Sequence, residues 1–294
     1  MVQKGQLPGG MACARKDYTP MPQCLSCGSD SNVIDWHGAV GGNIWKILYL
    51  EADYHHHGTG RGRCTQQANM LGPLAGIVVI DVTRILSGPF ATHILSDLGA
   101  RVIKIEPPGT GDPTRSFASH IPHPESKDIS SSYFAAVNAG KEVISLDLKQ
   151  HKDKEILWNL LRHADVFVEN YRPGVIGRLG FGWKDVHQWN KKLVMCSISG
   201  FGQTGPDAKM GAVDTIIQAT SGIMSVTSTE AGGPPTRAGV SVSDVLAGVY
   251  AANGIQAALL ARERGRSAGG SYVDISMLDC SVAASLIPLG QVKR

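Results

Sequence analysis

An α/β fold, with a doubly wound, mainly parallel, Rossmann-like sheet, is what this sequence predicts, and three observations carry the expectation. From residue 71 onward, short apolar runs rich in β-branched residues read as buried strands. Helical stretches alternate with them as far as residue 286. The first strand–helix–strand repeat spans about 30 residues, the length of a βαβ unit, and such units build parallel sheets.

The elements follow in order. IVVIDV (77–82) is the first strand. TRILSGPF, punctuated by Gly88-Pro89, leads into a helix to Leu98, with Gly99 placed as its stop and RVIKIE (101–106) as the next strand. EVISLDL (142–148) is a strand, KDKEILWNLLRH (152–163) an amphipathic helix, and DVFVEN (165–170) and LVMCSISG (193–200) are further strands. DTIIQATSGIMS (214–225) reads as one helix, and a longer helix runs from Asp244 to about Arg264. SYVDISM (271–277) is the last strand, with Met277 inside it, and LDCSVAASL (278–286) begins the last helix. No internal repeat or low-complexity tract is visible.

Composition narrows the function. The 294 residues are 43% hydrophobic and 18% charged, enough chain for a sizeable core. A formal net charge of +3 is too small to argue for nucleic acid or a membrane surface. No run approaches the roughly 18 apolar residues that span a bilayer. The six cysteines form no disulfide framework, which fits a soluble protein in a reducing intracellular compartment, with mitochondrial matrix and cytoplasm both open.

Residues 1–70 differ from the domain portion at 71–290. They are rich in Gly, Cys, Trp and polar residues and lack sustained periodicity, so an irregular extension is expected, with GNIWKILYLEADY (42–54) as one short strand or helix. Met70, just before the first regular element, is a possible internal start of translation. Cys24 and Cys27 with His55, His56 and His57 do not have zinc-finger spacing, and no second CxxC exists, so no metal site is expected.

In a doubly wound sheet, ligands bind beyond the carboxyl ends of the strands. That points to segments 83–88, 107–115, 170–178 and 200–205, and to Lys149 and Asp244. A GxGxxG after the first strand, a GxxxxGK[ST] loop and a GxSxG elbow are all absent, which argues against dinucleotide, P-loop and α/β-hydrolase chemistry.

The loops carry a resemblance. PLAGIVVIDVTRILSGPFATHILSDLGARVIKIEPPGTGDPTR (73–115), EVISLDLK (142–149), ADVFVENYRPGVIGRLGFGW (164–183), LVMCSISGFGQTGP (193–206), SGIMSVT (221–227) and VSDVLAGVYAANGIQAALLAR (242–262) resemble, in order and spacing, the family III CoA-transferases. The TRILSGPFAT and DLGA wording is nearest the branch that includes the succinyl-CoA:glutarate CoA-transferases.

The resemblance implies a function for Asp244. Read alone, an acid in the first turn of a helix complements the helix dipole, with Ser241 or Ser243 as the cap. In the family, the matching aspartate is the nucleophile that takes the acyl group of an acyl-CoA as a mixed anhydride. An ionised carboxylate is already nucleophilic at pH 7 and needs no adjacent base. Carried over in the same way, Ile85, Leu86 and Ser87 lie along CoA. Lys149 is at the adenosine phosphate end, Asn170 and Tyr171 contact the nucleotide, Arg178 binds phosphate, and Met277 lines the CoA channel. Asp214 keeps the acid of a G-[FY]-[DE] pattern and loses its aromatic to Val213, and it is expected to position the anhydride or the acid substrate. CoA enters as a thioester substrate, with no tightly bound cofactor.

Two alternatives stand beside the transferase. The first is an α-methylacyl-CoA racemase, but that group has a histidine where this chain has Val213, and it needs a base on each face of the α-carbon. The second is an inactive, truncated CoA-binding or interaction module. Family members are longer, add a small domain and a Gly-rich loop over the site, and interlock as homodimers. This chain stops at QVKR (291–294), so it is expected to lack the small domain and to be poorly stable or inactive alone. Arg84 or Arg237 would suit the second carboxylate of a dicarboxylic acid.

Overall fold

The computed structural model describes residues 72–117, 120–122, 129–228, 230, 233–267 and 269–285. The expectations for residues 1–71, the Cys/His cluster included, lie outside them. In chain order the elements are β1 (Val78–Asp81), α1 (Ser87–Asp97), β2 (Arg101–Glu106), a 3-10 turn (Pro113–Ser116), β3 (His120–Pro122), β4 (Ile129–Ser131), α2 (Ser132–Asn138), β5 (Glu142–Ser145), α3 (His151–His163), β6 (Val166–Glu169), α4 (Val175–Arg178), α5 (Trp183–Trp189), β7 (Val194–Ser199), α6 (Asp214–Thr220), α7 (Ile223–Val226), α8 (Val242–Glu263), β8 (Tyr272–Ser276) and α9 (Met277–Ala284).

Six strands form one sheet in the order β5-β2-β1-β6-β7-β8, every pairing parallel. Counted along the chain within this sheet, the order is 3-2-1-4-5-6, that of the doubly wound dinucleotide-binding fold. β3 and β4 pair separately, antiparallel. The central strands are apolar and buried on both sides, β7 along its whole length, because helices cover both faces. On one face Leu157 and Leu161 of α3 and Val186 of α5 pack on Ile80, Phe167 and Met195. On the other, α8 packs against α1, β7, β8 and α9.

Several expectations change. The strand at 142–148 ends at Ser145, because the Asp147 carboxylate accepts from the Lys149 amide and starts a turn, while the Asp147 amide is taken by Asp153. The single helix at 214–225 is two short helices, broken where Gly222 adopts φ +84°. Met277 is the first residue of α9 and not part of the strand. Gly99 stops α1 as expected, at φ +97°. The 3-10 turn, α2, α4 and α5 occupy stretches for which the sequence pattern predicts no element. Among the described residues, α8 is long and apolar enough by length and composition to cross a bilayer, which corrects the expectation that no segment is. It packs one face on α1, β7, β8 and α9, while Val249, Tyr250 and Leu260 are exposed.

α8 lies close to α1 because its contact stripe is small. Ala247, Gly248, Ala251 and Ala252 are buried along it. A Cβ on Gly248 would stand 2.8 Å from the Ser87 carbonyl oxygen and 2.9 Å from the Phe90 ring. This glycine, one turn after Asp244, lets the start of α8 reach the start of α1.

Candidate active site

A cleft of about 290 Å3 opens at the carboxyl ends of β1 and β6, where the strand order reverses. The turn after β1 supplies Arg84, Ile85, Leu86 and Ser87. The loop after β6 supplies Asn170, Tyr171, Arg172 and Pro173. Ile198, Ser199 and Gly200 come from the end of β7, Tyr133 from α2, and Met277 from α9. The remaining wall is Met210, Ala212, Val213, Asp214 and Thr215, with Arg237, Ser241 and Asp244.

The β1 turn is held by charges buried beneath it. Asp81 is fully buried and accepts from the Thr83 amide at 2.8 Å, the Thr92 hydroxyl at 2.6 Å and Lys141 Nζ at 3.1 Å. Burial alone would push this carboxyl up. Lys141, Lys104 and the Thr83 and Thr92 hydroxyls outweigh it and hold Asp81 well below the usual carboxylate range. Lys104, fully buried in β2, donates to the Thr83 carbonyl at 2.8 Å and pairs with Asp112 at 3.0 Å. Asp112 accepts from the Thr114 amide and hydroxyl and, at 3.4 Å, from the Ile85 amide. Asn170 clips the turn from the other side: Oδ1 accepts from the Arg84 amide at 2.8 Å and Nδ2 donates to the Arg84 carbonyl at 2.7 Å. These bonds keep Ile85 at φ +71°, the one non-glycine residue with positive φ among those described. Backbone strain of this kind persists only where its surroundings over-determine it.

The other side of the cleft is acidic. Asp244 sits in the first turn of α8, half-buried. Burial pushes its carboxyl up and the neighbouring Asp214 pushes it further. The hydroxyl and backbone amide of Ser87 pull it back, and it stands at about 6. The expected serine cap of α8 is not made: Ser241 forms no side-chain cap bond, and the Ser243 hydroxyl has no partner among the described residues. The cap comes from α6. Asp214 Oδ1 accepts from the Ser243 amide at 2.9 Å and the Asp244 amide at 3.4 Å, satisfying first-turn donors of α8. Its Oδ2 accepts from Gln218 Nε2 at 2.7 Å and lies 3.6 Å from Arg237. Tyr133 faces both acids and Asp112. Burial first, then these charges, raises its phenol.

The structure therefore brings together Ile85, Leu86, Asn170, Tyr171, Met277, Asp214 and Asp244. Lys149 and Arg178 are exposed and outside the cleft, Lys149 in the turn after β5 and Arg178 at the end of α4. Sequence reasoning missed Tyr133, Ser199 and Met210, and included Arg172 only as part of the 170–178 loop. It also missed Gln218 and the two buried lysines, since Lys104 and Lys141 carry no local signal separating them from solvated lysines.

The model of the CoA-transferase family III matches residues 74–289. The chain is 49% identical over 220 residues to an acetyl-CoA:oxalate CoA-transferase of Acetobacter aceti, covering 74% of this chain and 54% of that protein. It is 40% identical over 226 residues to a succinyl-CoA:glutarate CoA-transferase of Mus musculus, covering 77% of this chain and 50% of that one. A crystal structure of a CAIB/BAIF family protein from Brucella suis superposes with a TM-score of 0.70 at 35% identity, covering 76% of this chain and 58% of that one. The chain spans about half the length of the curated relatives it matches.

Proposed function

The chain belongs to the CoA-transferase family III, and on that premise we propose that it carries the nucleophilic site for moving CoA from a short acyl-CoA to a carboxylic acid, with Asp244 as nucleophile. The observation that carries this reading is the placement of Asp244. It is a half-buried carboxylate beside the starts of two helices, at the switch point of the sheet, with Ser87 facing it.

The chemistry follows from that environment. With its carboxyl at about 6, Asp244 is roughly nine-tenths ionised at pH 7 and more basic than an exposed aspartate. An Asp244 Oδ adds to the thioester carbonyl, the C–S bond breaks, and CoA leaves as thiolate, giving an aspartyl–acyl anhydride. The thiolate then adds to the aspartyl carbonyl, which releases the donor acid as its carboxylate. The acceptor carboxylate attacks that aspartyl thioester and expels the thiolate. The thiolate finally takes the acceptor acyl group, restoring Asp244. Each step exchanges one acyl bond for another, and no proton donor is consumed. Exclusion of water keeps the anhydride from hydrolysis.

The turn 84–87 and the loop 170–173 form the wall along which CoA lies in this reading, with Asn170 closing the turn and Arg84 stacked over Tyr171 at 4.8 Å. Asp214 holds the start of α8 and thereby orients Asp244. A racemase is disfavoured, because no histidine among the described residues lines the cleft and Val213 stands where a second base is needed. An acyl-CoA with hydroxylamine, followed by intact-protein and peptide mass spectrometry, tests the proposal. A hydroxamate on the peptide containing Asp244, absent from Asp244→Ala, supports it. Acylation of another residue would refute it.

A further inference from the structure

Arg237 has no role in the steps above, and its surroundings are unusual. Its backbone is fixed on both sides. The Thr236 amide donates to the Met224 carbonyl at 2.9 Å. The Ala238 amide donates to Gln218 Oε1 at 2.9 Å. Gln218 is completely buried, and its Nε2 also bonds Asp214 Oδ2 and, at 3.2 Å, the Val240 carbonyl. One side-chain amide thus ties the 238–240 segment to α6.

The guanidinium on this rigid base is by contrast uncommitted. It lines the cleft, its side chain is 47% exposed, and it makes no hydrogen bond among the described residues. Its one ionic contact is 3.6 Å from Asp214 Oδ2, an oxygen already bonded to Gln218. Asp214 has its other oxygen on the amides of Ser243 and Asp244, so it keeps hydrogen-bond partners of its own besides Arg237. Of the other cleft guanidiniums, Arg84 lies over Tyr171, and Arg172, from the loop after β6, lies against Gly211. A planar fork of donors on a fixed stretch of backbone, with only this long ionic contact and in the same cleft as Asp244, suits a second anion on the acyl group.

We infer that Arg237 is a specificity-determining residue that pairs with the distal carboxylate of a short dicarboxylic acid or of its CoA half-ester. This rests on the reading of Asp244 as the acyl acceptor. The two are tested separately by using binding as well as chemistry.

The binding arm titrates glutarate and butyrate, acids that differ mainly in one carboxylate, into wild type, Arg237→Gln and Arg237→Lys by calorimetry. Thermal unfolding confirms that each variant is folded. The chemical arm measures Asp244 hydroxamate formation from glutaryl-CoA and butyryl-CoA. The inference expects glutarate to bind wild type in preference to butyrate. Arg237→Gln weakens glutarate by about 10- to 100-fold, the loss expected for a charge-assisted pair. It leaves butyrate unchanged, and Arg237→Lys recovers part of the loss. In the chemical arm, half-saturation for glutaryl-CoA rises in Arg237→Gln while the maximal rate and the butyryl-CoA reaction hold. Equal effects on both acids, or no effect on glutarate, overturn the inference. Arg237-dependent glutarate binding without acylation of Asp244 in wild type would uphold this carboxylate site and overturn the nucleophile.

Discussion

Two aspartates, one buried beneath the β1 turn and one at the start of α8, meet opposite fates. Asp81, beneath the β1 turn, is completely buried, yet Lys141 and Lys104 hold it ionised well below the usual range. Asp244 is less buried, yet its nearest charge is another carboxylate, and it is pushed up to about 6. Burial raises both; the sign of the neighbouring charge decides the outcome. The paired acid is a structural fixture whose stabilisation is present above its unfolded value and is lost as pH falls through its lowered one. The acid beside a like charge carries an ionisation penalty that is absent below its unfolded value and complete above about pH 6. The two corners are joined, because the turn anchored through Asp81 ends at Ser87, the residue facing Asp244.

The sharpest break in that comparison is Asp244→Asn. Hydroxamate formation is expected to fall on the order of 10^4-fold, the scale of losing a nucleophile. The fold at pH 8 is expected to gain stability, by at most about 3 kcal/mol at 1.36 kcal/mol per pH unit, since the ionisation penalty is gone. Thermal unfolding at pH 8 and pH 4 measures it, and the gain must shrink at the lower pH. Asp81→Asn must do the opposite and destabilise at pH 8.

Next in size is Lys141→Met, which leaves the Asp81 charge buried with one cation fewer. A loss of about 3–5 kcal/mol in urea unfolding is expected from breaking a buried pair. The double variant Asp81→Asn, Lys141→Met is expected to recover much of it, because two neutral groups carry no unpaired charge.

These two corners were unequally legible in the sequence. β1, β2, β6 and β7 were readable because strands buried on both faces are short runs of Val, Ile and Phe. The switch-point position of the site followed from that alternation. Asp244 became a candidate nucleophile only through the order of loop motifs; taken alone, an acid in a first helical turn is dipole chemistry. The contacts that set its surroundings could not be read, since they are long-range. Asp214 caps a helix 29 residues away, and Gln218 clamps a loop 20 residues on. Lys104 and Lys141 were invisible for the same reason: only the fold reveals that their ammonium groups end against Asp112 and Asp81. The strained φ of Ile85 likewise arises from bonds to Asp112 and Asn170 that no local pattern announces.

A smaller effect is expected at Gly248, which sets the spacing between the corners. A methyl group there meets the Ser87 carbonyl, backbone that cannot swing aside. Gly248→Ala is expected to cost about 1–3 kcal/mol by overpacking. It also lowers Asp244 acylation by moving the start of α8 away from Ser87. Gly254 is the control. Its added methyl would meet only the Val273 side chain, at 2.9 Å, about two turns further from Asp244. Gly254→Ala perturbs stability without changing the acylation rate per folded molecule.

The finest test separates the two causes that raise Asp244. Burial is the larger and Asp214 the second. Asp214→Asn removes the like charge and keeps a side-chain oxygen that can accept from the Ser243 and Asp244 amides. Acylation by wild type is expected to fall as pH drops through about 6, where Asp244 takes up its proton. In Asp214→Asn that acid limb moves to lower pH, so the variant keeps more of its own maximal rate at pH 5 than wild type does. The displacement must be smaller than the whole elevation, because burial is untouched. The rate at the alkaline plateau is expected to drop somewhat, since a less basic carboxylate is a weaker nucleophile. A limb that stays in place would mean that burial alone raises Asp244 and that Asp214 is only the cap of α8. A limb that moves to higher pH would mean that Asp214, through its hold on the helix start, had been stabilising the Asp244 carboxylate all along.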